Sequence, residues 1–327
     1  MKAWQVRQTG EPGDVMGLAE VPEPQAGPGQ MLVRVRAATV NFPDALLCRG
    51  QYQFKPELPF TPGVELCGEV VALGEAVTGA AVGDRVIGSP ELPGGAFAEL
   101  ALMDADRVHP APRELDDAES AALWIGYQTG WFGLHRRAAL RAGETLLVHA
   151  AAGGVGSAAV QLGKAAGARV IAVVGGPEKA DVARSLGADV VVDRRADDFV
   201  PVVKEFTEGR GADVVYDPVG GDTYARSAKC VAFEGRILVV GFAGGAIPSP
   251  ALNHALVKNY SIVGLHWGLY QAHDPAAVRQ AHEELTGLAA KGVVKPLVSE
   301  RVPLVGAADA VQRVADGLTA GRIAVMP

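Results

Sequence analysis

A glycine-rich turn between an apolar run and a small-residue segment is the part of this chain whose residue types most directly indicate chemistry. The turn reads Ala151-x-Gly153-x-x-Gly156 and follows the apolar run Thr145–His149. Gly153 permits a tight turn, Gly154 lets the backbone approach a phosphate, and Gly156 lets the next helix pack close to the strand. Free amides at the start of that helix, with the positive end of its dipole, favour an anion. The pattern predicts a dinucleotide held by its pyrophosphate. The alternative is an ordinary strand-to-helix turn, since alanine stands where the fingerprint usually has its first glycine.

The end of the next apolar strand indicates which dinucleotide is bound. Arg169–Val174 is followed by Gly175-Gly176, where proteins that prefer NAD usually carry Asp or Glu for the ribose 2′-hydroxyl. Without that carboxylate a 2′-phosphate meets no repulsion, and Lys179 and Arg194 supply positive charge. We therefore predict NADPH as the cofactor. If Lys179 and Arg194 are instead solvated surface charges and Glu178 is the displaced acid, NAD would be preferred.

Composition excludes several classes of function. The chain has 327 residues, of which 49% are hydrophobic, and this favours about two domains with large cores. A net charge of −7 gives no general attraction to nucleic acid or to an anionic membrane. No apolar run approaches the roughly 20 residues that span a bilayer. Three scattered cysteines cannot form a disulfide framework, which predicts a reducing, cytoplasmic setting. We expect no nucleic-acid partner and no membrane association.

Two compositional regimes divide the chain. Residues 1–122 contain short β runs separated by Gly and Pro, which is typical of a small, mostly antiparallel β domain. Strands alternate with helices from 123 to 265, and this predicts an α/β domain with a parallel, doubly wound sheet. Residues 266–327 are expected to complete the first domain, since they end in the strand-like run Arg322–Met326. A nucleotide is expected between the two lobes, at the carboxyl ends of the parallel strands.

Short ordered motifs extend along the whole chain. They are Val40-Asn-Phe-Pro-Asp44, Arg49-Gly-Gln-Tyr52, Pro59-Phe-Thr-Pro-Gly-Val-Glu65, Val82-Gly-Asp-Arg-Val86, Asp217-Pro-Val-Gly220, Leu238-Val-Val-Gly-Phe-Ala243 and Gly264-Leu-His-Trp-Gly268. Together with the glycine-rich turn they resemble the medium-chain dehydrogenase/reductase superfamily. Within it they are most similar to the zinc-independent NADPH:quinone oxidoreductases, the group that includes zeta-crystallin. The resemblance implies a GroES-like β domain, a Rossmann domain and an NADPH-dependent oxidoreductase.

Metal ligands of the superfamily are replaced in this chain. Its zinc alcohol dehydrogenases carry a cysteine early in the first domain and a Gly-His-Glu about 20 residues later. The corresponding positions read Asn41-Phe-Pro-Asp44 and Gly63-Val-Glu65, and no C-x₂-C spacing occurs. We therefore expect no metal. Without a Lewis acid, the favoured acceptor is already electrophilic, such as a quinone or an α,β-unsaturated carbonyl, because delocalisation spreads the incoming charge.

The resemblance also provides two candidate catalytic residues, Tyr52 and Asn41. A tyrosine phenol with a reference pKa of about 10 stays protonated at neutral pH, so Tyr52 can donate a proton to a developing oxyanion. Alternatively, Tyr52 only stacks on the nicotinamide or closes the cleft. Asn41 matches an asparagine that faces the nicotinamide ribose, and the alternative is that it caps the short helix starting near Pro43.

Further cofactor contacts follow from the resemblance alone. Thr129 matches a hydroxyl residue near the nicotinamide, and Arg322 matches a C-terminal basic residue that reaches the adenosine phosphate. Arg194 stands where several relatives have a tyrosine that stacks on adenine. The other predicted cofactor residues lie in turns or at a helix start that follow the parallel strands: Val155, Val219, Gly241, Phe242, Ala243, His266, Trp267 and Gly268. The alternative for the glycines among them is that they are ordinary turn residues with no contact to a cofactor.

Three functions and one mode of association are predicted. The first function is NADPH-dependent reduction of quinones, and the second is reduction of an activated C=C in an acryloyl or enoyl thioester. The third is NADPH binding with little turnover. The apolar stretch 236–247, followed by 260–265, would leave an unpaired strand at one edge of the sheet. Because exposed edges tend to be covered, we expect a homodimer joined there.

Overall fold

The computed structural model of the protein describes all 327 residues. Its strands, in chain order, are β1 (Lys2–Val6), β2 (Met16–Glu20), β3 (Gln30–Thr39), β4 (Leu66–Leu73), β5 (Arg85–Gly88), β6 (Leu100–Asp104), β7 (His109–Pro110), β8 (Thr145–His149), β9 (Arg169–Val174), β10 (Val190–Asp193), β11 (Ala212–Asp217), β12 (Val231–Val239), β13 (Ser261–Gly264), β14 (Val298–Pro303) and β15 (Arg322–Met326). The runs Thr145–His149 and Arg169–Val174 of the sequence analysis are β8 and β9.

Eleven α-helices connect these strands. They are α1 (Pro12–Val15), α2 (Phe42–Cys48), α3 (Asp117–Trp131), α4 (Gly154–Ala165), α5 (Pro177–Ser185), α6 (Phe199–Phe206), α7 (Asp222–Ser227), α8 (Leu252–Lys258), α9 (Tyr270–His273), α10 (Pro275–Ala290) and α11 (Ala307–Ala315). Three short 3₁₀ turns cover Ala105–Arg107, Trp267–Leu269 and Leu304–Gly306, and a π-helical turn covers Phe132–Arg137.

Residues Met1–Ile125 and Lys295–Pro327 form one compact unit, called unit 1. Its main sheet has the order β14-β15-β3-β4-β5-β7, with β6 paired to β3, and every pair except β14–β15 is antiparallel. The predicted strand at the chain end is β15, which pairs with β3 through Ala324 opposite Thr39. This pairing confirms a mostly antiparallel β fold to which the end of the chain returns.

Residues Gly126–Val294 form the second compact unit, called unit 2. Its sheet has the order β10-β9-β8-β11-β12-β13, and every pair is parallel. In the order of the strands along this unit, that arrangement is 3-2-1-4-5-6, which is the dinucleotide-binding order. All five residues of β8 are buried, as expected of a strand covered on both faces of a parallel sheet. The predicted fold class, a doubly wound parallel sheet plus a mostly antiparallel β domain, is confirmed.

The boundary within the C-terminal part of the chain differs from the expected one. Residues from 266 onward were predicted to complete the β domain, but α10 packs within unit 2. Trp131 Nε1 donates to Glu284 Oε2 at 2.7 Å, and Gln128 Nε2 donates to the carbonyl of Val278 at 3.2 Å. Because these bonds attach α10 to the end of α3, only the residues from Lys295 onward return to unit 1. No helix is long and apolar enough to cross a bilayer.

Candidate active site

The glycine-rich turn lies at the carboxyl end of β8, at the centre of the parallel sheet. An ideal Cβ at Gly156 would lie 2.8 Å from the carbonyl carbon of Ala150 and 2.9 Å from Cα of Ala151. No side chain fits at this distance, so Gly156 lets α4 approach the strand end closely. The close approach that was predicted for Gly156 is therefore present in the backbone.

The left-handed residue of the tight turn is an alanine. Gly153 has an ordinary extended conformation, with φ −86° and ψ 175°, and it precedes α4 as its N-cap. Ala150 instead adopts a left-handed φ of 48°. A left-handed alanine costs about 1–2 kcal/mol, because its Cβ crowds the following carbonyl. The turn spans Ala150–Gly153, and Gly153 occupies its last position without needing a positive φ.

The start of α4 provides an anion site of the predicted type. Gly154, Val155 and Gly156 form its first turn, in which backbone N–H groups have no carbonyl of a preceding turn to bond. Gly153 N–H is already bonded to the carbonyl of Ala150 at 2.8 Å. The donors free for a phosphate are therefore those of the helix itself, and the helix dipole adds to their attraction for negative charge.

Three cationic side chains gather at the carboxyl end of β9. An ideal Cβ at Gly175 would lie 3.3 Å from Nε of Arg194, and one at Gly176 would lie 3.0 Å from Nη1 of Arg195. The pKa of Lys179 is lowered, by burial first and then by the positive charges of Arg195 and Arg194. The predicted residues Lys179 and Arg194 are thus brought together around the two glycines. Arg195 was missed in the sequence analysis, although the doublet with Arg194 is its signal.

An acidic residue fixes the geometry of this cationic group. Asp193 Oδ1 accepts hydrogen bonds from the backbone N–H groups of Gly176 at 2.8 Å and Arg195 at 3.0 Å. These two bonds are the main reason why the pKa of Asp193 is lowered. Gly176 also has a φ of 104°, a conformation in which a side chain is strained. The turn that holds the cations is therefore built by Asp193 and by a required glycine.

The turns after β11 and β12 lie against each other. Gly244 N–H donates to the carbonyl of Val219 at 2.9 Å, and Ala243 N–H donates to the carbonyl of Pro218 at 3.0 Å. Asp217 Oδ1 accepts from the N–H groups of Val219 at 2.8 Å and of Gly220 at 3.0 Å. Asp217 was quoted only as part of a motif, and the structure shows that its buried carboxylate holds the turn; burial raises its pKa. The predicted residues Val219 and Gly241–Ala243 are thus brought together.

The remaining predicted residues of unit 2 differ in exposure. Thr129 is buried near the end of α3, and Trp267 is buried in the turn after β13. Phe242 and His266 are exposed, and Gly268 would place a Cβ 3.5 Å from Nε2 of His266. The turn Trp267–Leu269 follows the carboxyl end of β13, so it shares the sheet edge at which the other predicted turns lie.

Unit 1 carries Tyr52 in the segment after α2. The side chain is half-buried and packs against the hydrophobic core of that unit. Burial raises the pKa of the Tyr52 phenol, and the negative charge of Asp44 raises it further. The phenol therefore stays protonated at neutral pH and is able to donate.

Asn41 and Arg322 belong to one buried polar network in unit 1. Asn41 Nδ2 donates to Glu65 Oε1 at 2.7 Å and to the carbonyl of Thr39 at 3.1 Å, while its Oδ1 accepts from Arg322 Nη1. Arg322 Nη1 also donates to the carbonyl of Val40 at 3.1 Å. Both the nitrogen and the oxygen of the Asn41 side-chain amide are thus hydrogen-bonded inside unit 1.

The guanidinium of Arg322 is only partly satisfied. Its side chain is 6% exposed, yet Nε and Nη2 are buried without a hydrogen-bond partner. Nη1 lies 3.6 Å from Oε1 of Glu65, which is fully buried and also accepts from the N–H of Ile125 at 2.7 Å. Arg322 lies in unit 1, whereas the cations Lys179, Arg194 and Arg195 lie in unit 2.

No group of three or more His, Cys, Asp or Glu side chains is arranged to hold a metal ion. Asp44 and Glu65, at the positions compared with zinc ligands, are bonded to backbone N–H groups and to Asn41 instead.

The chain is similar to known proteins both in sequence and in fold. A family model described as "Zinc-binding dehydrogenase" matches residues 154–286, and one described as "Alcohol dehydrogenase GroES-like domain" matches residues 27–113. The "Quinone oxidoreductase-like protein 2 homolog" of Nematostella vectensis is 39% identical over 301 residues, which are 91% of this chain and 82% of the relative. The structure of Escherichia coli quinone oxidoreductase complexed with NADPH is 30% identical, covers 100% of both chains and has a TM-score of 0.93. The structure of CurK enoyl reductase is 26% identical over 99% of this chain and 98% of that one, with a TM-score of 0.88.

Proposed function

Because this chain is an oxidoreductase that belongs to the zinc-independent quinone oxidoreductase group of the medium-chain dehydrogenase/reductase superfamily, we propose that it reduces quinones with NADPH. The observation that carries the choice of NADPH is the group of three cations, Lys179, Arg194 and Arg195, around the Gly175–Gly176 turn. These positive charges would attract a 2′-phosphate, whereas a 2′-hydroxyl carries no charge for them to attract. The choice of a quinone as acceptor is supported by the similarity to quinone oxidoreductases. The relative from Escherichia coli was solved with NADPH, which agrees with this assignment.

The residues at the carboxyl ends of the parallel strands are suited to binding the phosphate groups of a dinucleotide. The first amides of α4 are proposed to bind the pyrophosphate, and the turn after β12, Gly241–Ala243, to support the nicotinamide half. Arg322 has two buried donor nitrogens without partners, so we keep it as a proposed contact to the adenosine phosphate. Thr129, Val219 and the turn His266–Gly268 remain proposed contacts on the family resemblance. NADPH, when bound, supplies the hydride.

Tyr52 is the proposed proton donor. Its raised pKa keeps the phenol protonated through neutral pH, so that it can donate to the oxyanion that forms on a reduced acceptor. Asn41 is proposed to position the site rather than to move a proton, because the nitrogen and the oxygen of its side-chain amide are both hydrogen-bonded to neighbours within unit 1.

Reduction of an activated C=C in a thioester is the second candidate function. It is favoured by the likeness to CurK enoyl reductase, which matches this fold over nearly its whole length. Hydride delivery and a proton donor are needed for both acceptors, so the residues proposed above serve either reaction. The acceptor has to be decided by measurement.

A steady-state panel tests this proposal. NADPH and NADH are compared against several quinones and against crotonyl and acryloyl thioesters, with wild-type protein and Tyr52→Phe. We expect NADPH to be preferred, quinones to be turned over fastest, and Tyr52→Phe to lower kcat by about 100-fold. Tyr270→Phe is the matched control, because it removes a hydroxyl from a half-buried ring of unit 2 that packs on Phe132, and it should leave kcat within about twofold.

Each alternative gives a different result in the same panel. Faster turnover of thioesters, lost in Tyr52→Phe, would place enoyl reduction first. A change in NADPH fluorescence on binding, with no oxidation of NADPH by any acceptor, would indicate the third function, NADPH binding with little turnover. Unchanged kcat in Tyr52→Phe would refute the role of the phenol.

We also propose that the protein is a homodimer joined through the β13 edge of unit 2. β13 pairs only with β12, so its other side has unpaired backbone groups. Ile247 and the α8 residues Leu252, Leu256 and Val257, which precede β13 in the chain, are each more than 70% exposed. Such an apolar surface beside an open strand is suited to the same surface of a second copy.

Light scattering tests the dimer. The wild-type protein should give twice the 33.8-kDa mass of the chain. Leu256→Lys should shift it towards the monomer, because the charge would have to be buried in the interface. Leu318→Lys is the control, since Leu318 is 70% exposed but lies in unit 1. A wild-type monomer at all concentrations would refute the proposal.

A cytoplasmic location is proposed as well. Cys48, Cys67 and Cys230 are all buried free thiols. Thiols without disulfides are typical of a reducing compartment. Fractionation of cells that express the protein would test this, and recovery in an oxidising compartment would contradict it.

A further inference from the structure

A single buried carboxylate closes the segment that carries Tyr52. Asp44, in the first turn of α2, accepts a hydrogen bond from the backbone N–H of Asn41 through Oδ2 at 2.7 Å. Its other oxygen, Oδ1, accepts from the backbone N–H of Gly63 at 3.0 Å. Tyr52 lies on the chain between Asp44 and Gly63, so one side chain ties together the two ends of its segment. Asp44 has no exposed surface, which makes these bonds costly to lose.

The charges around Asp44 are unbalanced. The charged or titratable groups that face it are Glu65, Arg322, Cys48 and Tyr52. Arg322 is the only cation among them, and it lies 3.6 Å from the carboxylate of Glu65. Two buried carboxylates therefore share one buried guanidinium, and the charge of Asp44 is left to act on its other neighbours. Tyr52 is one of these: burial raises the pKa of its phenol, and the negative charge of Asp44 raises it further.

We propose that Asp44 is the positioning residue for Tyr52: its carboxylate, bonded to the backbone N–H groups of Asn41 and Gly63, holds together the two ends of the segment that carries Tyr52. The inference deepens the function proposed above and rests on it for the role of Tyr52 in turnover. It assigns Asp44 no contact with substrate or cofactor. Asp44 acts through Tyr52.

The state of Asp44 depends on pH in the neutral range. Burial raises its pKa to about 7, and Glu65 raises it too, although the two backbone N–H bonds and Arg322 act in the opposite direction. The ionised carboxylate accepts both N–H bonds. A protonated carboxyl has lost the negative charge that strengthens both bonds, and its hydroxyl oxygen is a weaker acceptor, so the closure weakens as the pH falls through about 7.

Tyrosine NMR tests the coupling without turnover. The protein has six tyrosines, which are enriched with ¹³C at Cζ, and the Tyr52 signal is assigned by its loss in Tyr52→Phe. In the wild-type protein we expect this signal to show an inflection near pH 7, from Asp44, before the phenol ionises at high pH. Asp44→Asn should remove the inflection and move the phenol ionisation to lower pH. Asp84→Asn is the matched control, because the exposed Asp84 accepts one backbone N–H bond, from Ala81 at 2.8 Å, and it should keep both features.

Three NMR results would overturn the proposal. They are a wild-type Tyr52 signal with no inflection near neutral pH, an inflection that persists in Asp44→Asn, and a phenol ionisation that is unchanged by the variant. Asp44→Glu retains a carboxylate and should keep an inflection, so it provides the same test if Asp44→Asn does not fold.

A double-mutant cycle tests the effect on catalysis. Asp44→Asn should lower kcat about tenfold when Tyr52 is present and less than about twofold in the Tyr52→Phe background, because coupled residues are not additive. Equal losses in both backgrounds would show a merely structural role and refute the inference. If Tyr52→Phe alone leaves kcat unchanged, the proposed function of the phenol fails, while the NMR result still decides whether Asp44 positions it.

Discussion

Replacement of Arg195 by alanine should separate NADPH binding from NADH binding. Arg195 lies beside Gly176 at the end of β9 and was found only from the structure, where an ideal Cβ on Gly176 would be 3.0 Å from its Nη1. Hydrogen bonds to charged groups contribute about 1.5–3 kcal/mol, and we take the lower end because Arg195 is exposed and its charge is screened by solvent. Since 1.4 kcal/mol is about a factor of ten, Arg195→Ala should weaken NADPH binding about tenfold. NADH has no 2′-phosphate, and its affinity should stay within about twofold.

The assay is a fluorescence titration of each nucleotide at two salt concentrations. The NADPH Kd of the wild-type protein should rise with salt more steeply than that of Arg195→Ala, because one charge–phosphate interaction has been removed. Arg184→Ala is the matched control, since Arg184 is an exposed arginine on the neighbouring helix α5 that is paired with Asp181. It should change neither Kd.

Two results would refute this reasoning. If Arg195→Ala weakened NADPH and NADH by the same factor, the side chain would act on a part of the cofactor that both share. If the ratio of the two Kd values were unchanged in variants of Lys179, Arg194 and Arg195 alike, the cationic group would not be the 2′-phosphate site.

Three further predictions concern stability and binding. Gly156→Ala should abolish NADPH binding in titrations and lower Tm, because its Cβ would lie 2.8 Å from the carbonyl carbon of Ala150 in the preceding turn. Gly287→Ala is the control on α10, where a Cβ would have no atom within 4 Å, and it should instead stabilise the fold by about 0.8–1 kcal/mol. Burial lowers the pKa of His149 to about 3. Below about pH 6.5 the unfolded chain therefore binds a proton at this histidine that the folded protein does not bind. The free energy of unfolding consequently falls as the pH drops from about 6.5 towards 3. His149→Gln should make urea unfolding midpoints at pH 7 and pH 5 more alike, and an unchanged difference would contradict the assignment. Glu65→Gln should lower the free energy of unfolding by about 3 kcal/mol, because the guanidinium of Arg322 would stay buried without the carboxylate of Glu65 beside it. The double variant Glu65→Gln with Arg322→Met should recover part of that loss in urea denaturation.

Most of unit 2 could be predicted from sequence because its information is local. The runs Thr145–His149 and Arg169–Val174 were predicted with the observed bounds, since the interior residues of strands buried on both faces are continuously apolar. The glycine-rich turn after β8 was placed correctly as well. Its detailed shape was not, because the left-handed residue of the turn is Ala150, which the pattern did not indicate. Propensity favours glycine there, and tertiary packing overrode that preference.

The polar network of unit 1 could not be predicted in the same way. Arg322 is 281 residues from Asn41 in the chain, and the pairing of β15 with β3 brings them together. A basic residue near a chain end is ordinarily solvated, so its burial against Glu65 has no local signal. The role proposed for Asp44 likewise depends on Gly63, which lies 19 residues further along the chain.

The sequence by itself determined the fold class and the turn at which a phosphate is expected, because hydrophobic periodicity and glycine placement act over a few residues. Only the tertiary structure decided where the charges lie. It placed Arg195 with Lys179 at one turn and enclosed two carboxylates with a single guanidinium in unit 1. The energy of a charge depends on its burial and on the groups within a few ångströms, and these are set by contacts between residues that are distant in the chain.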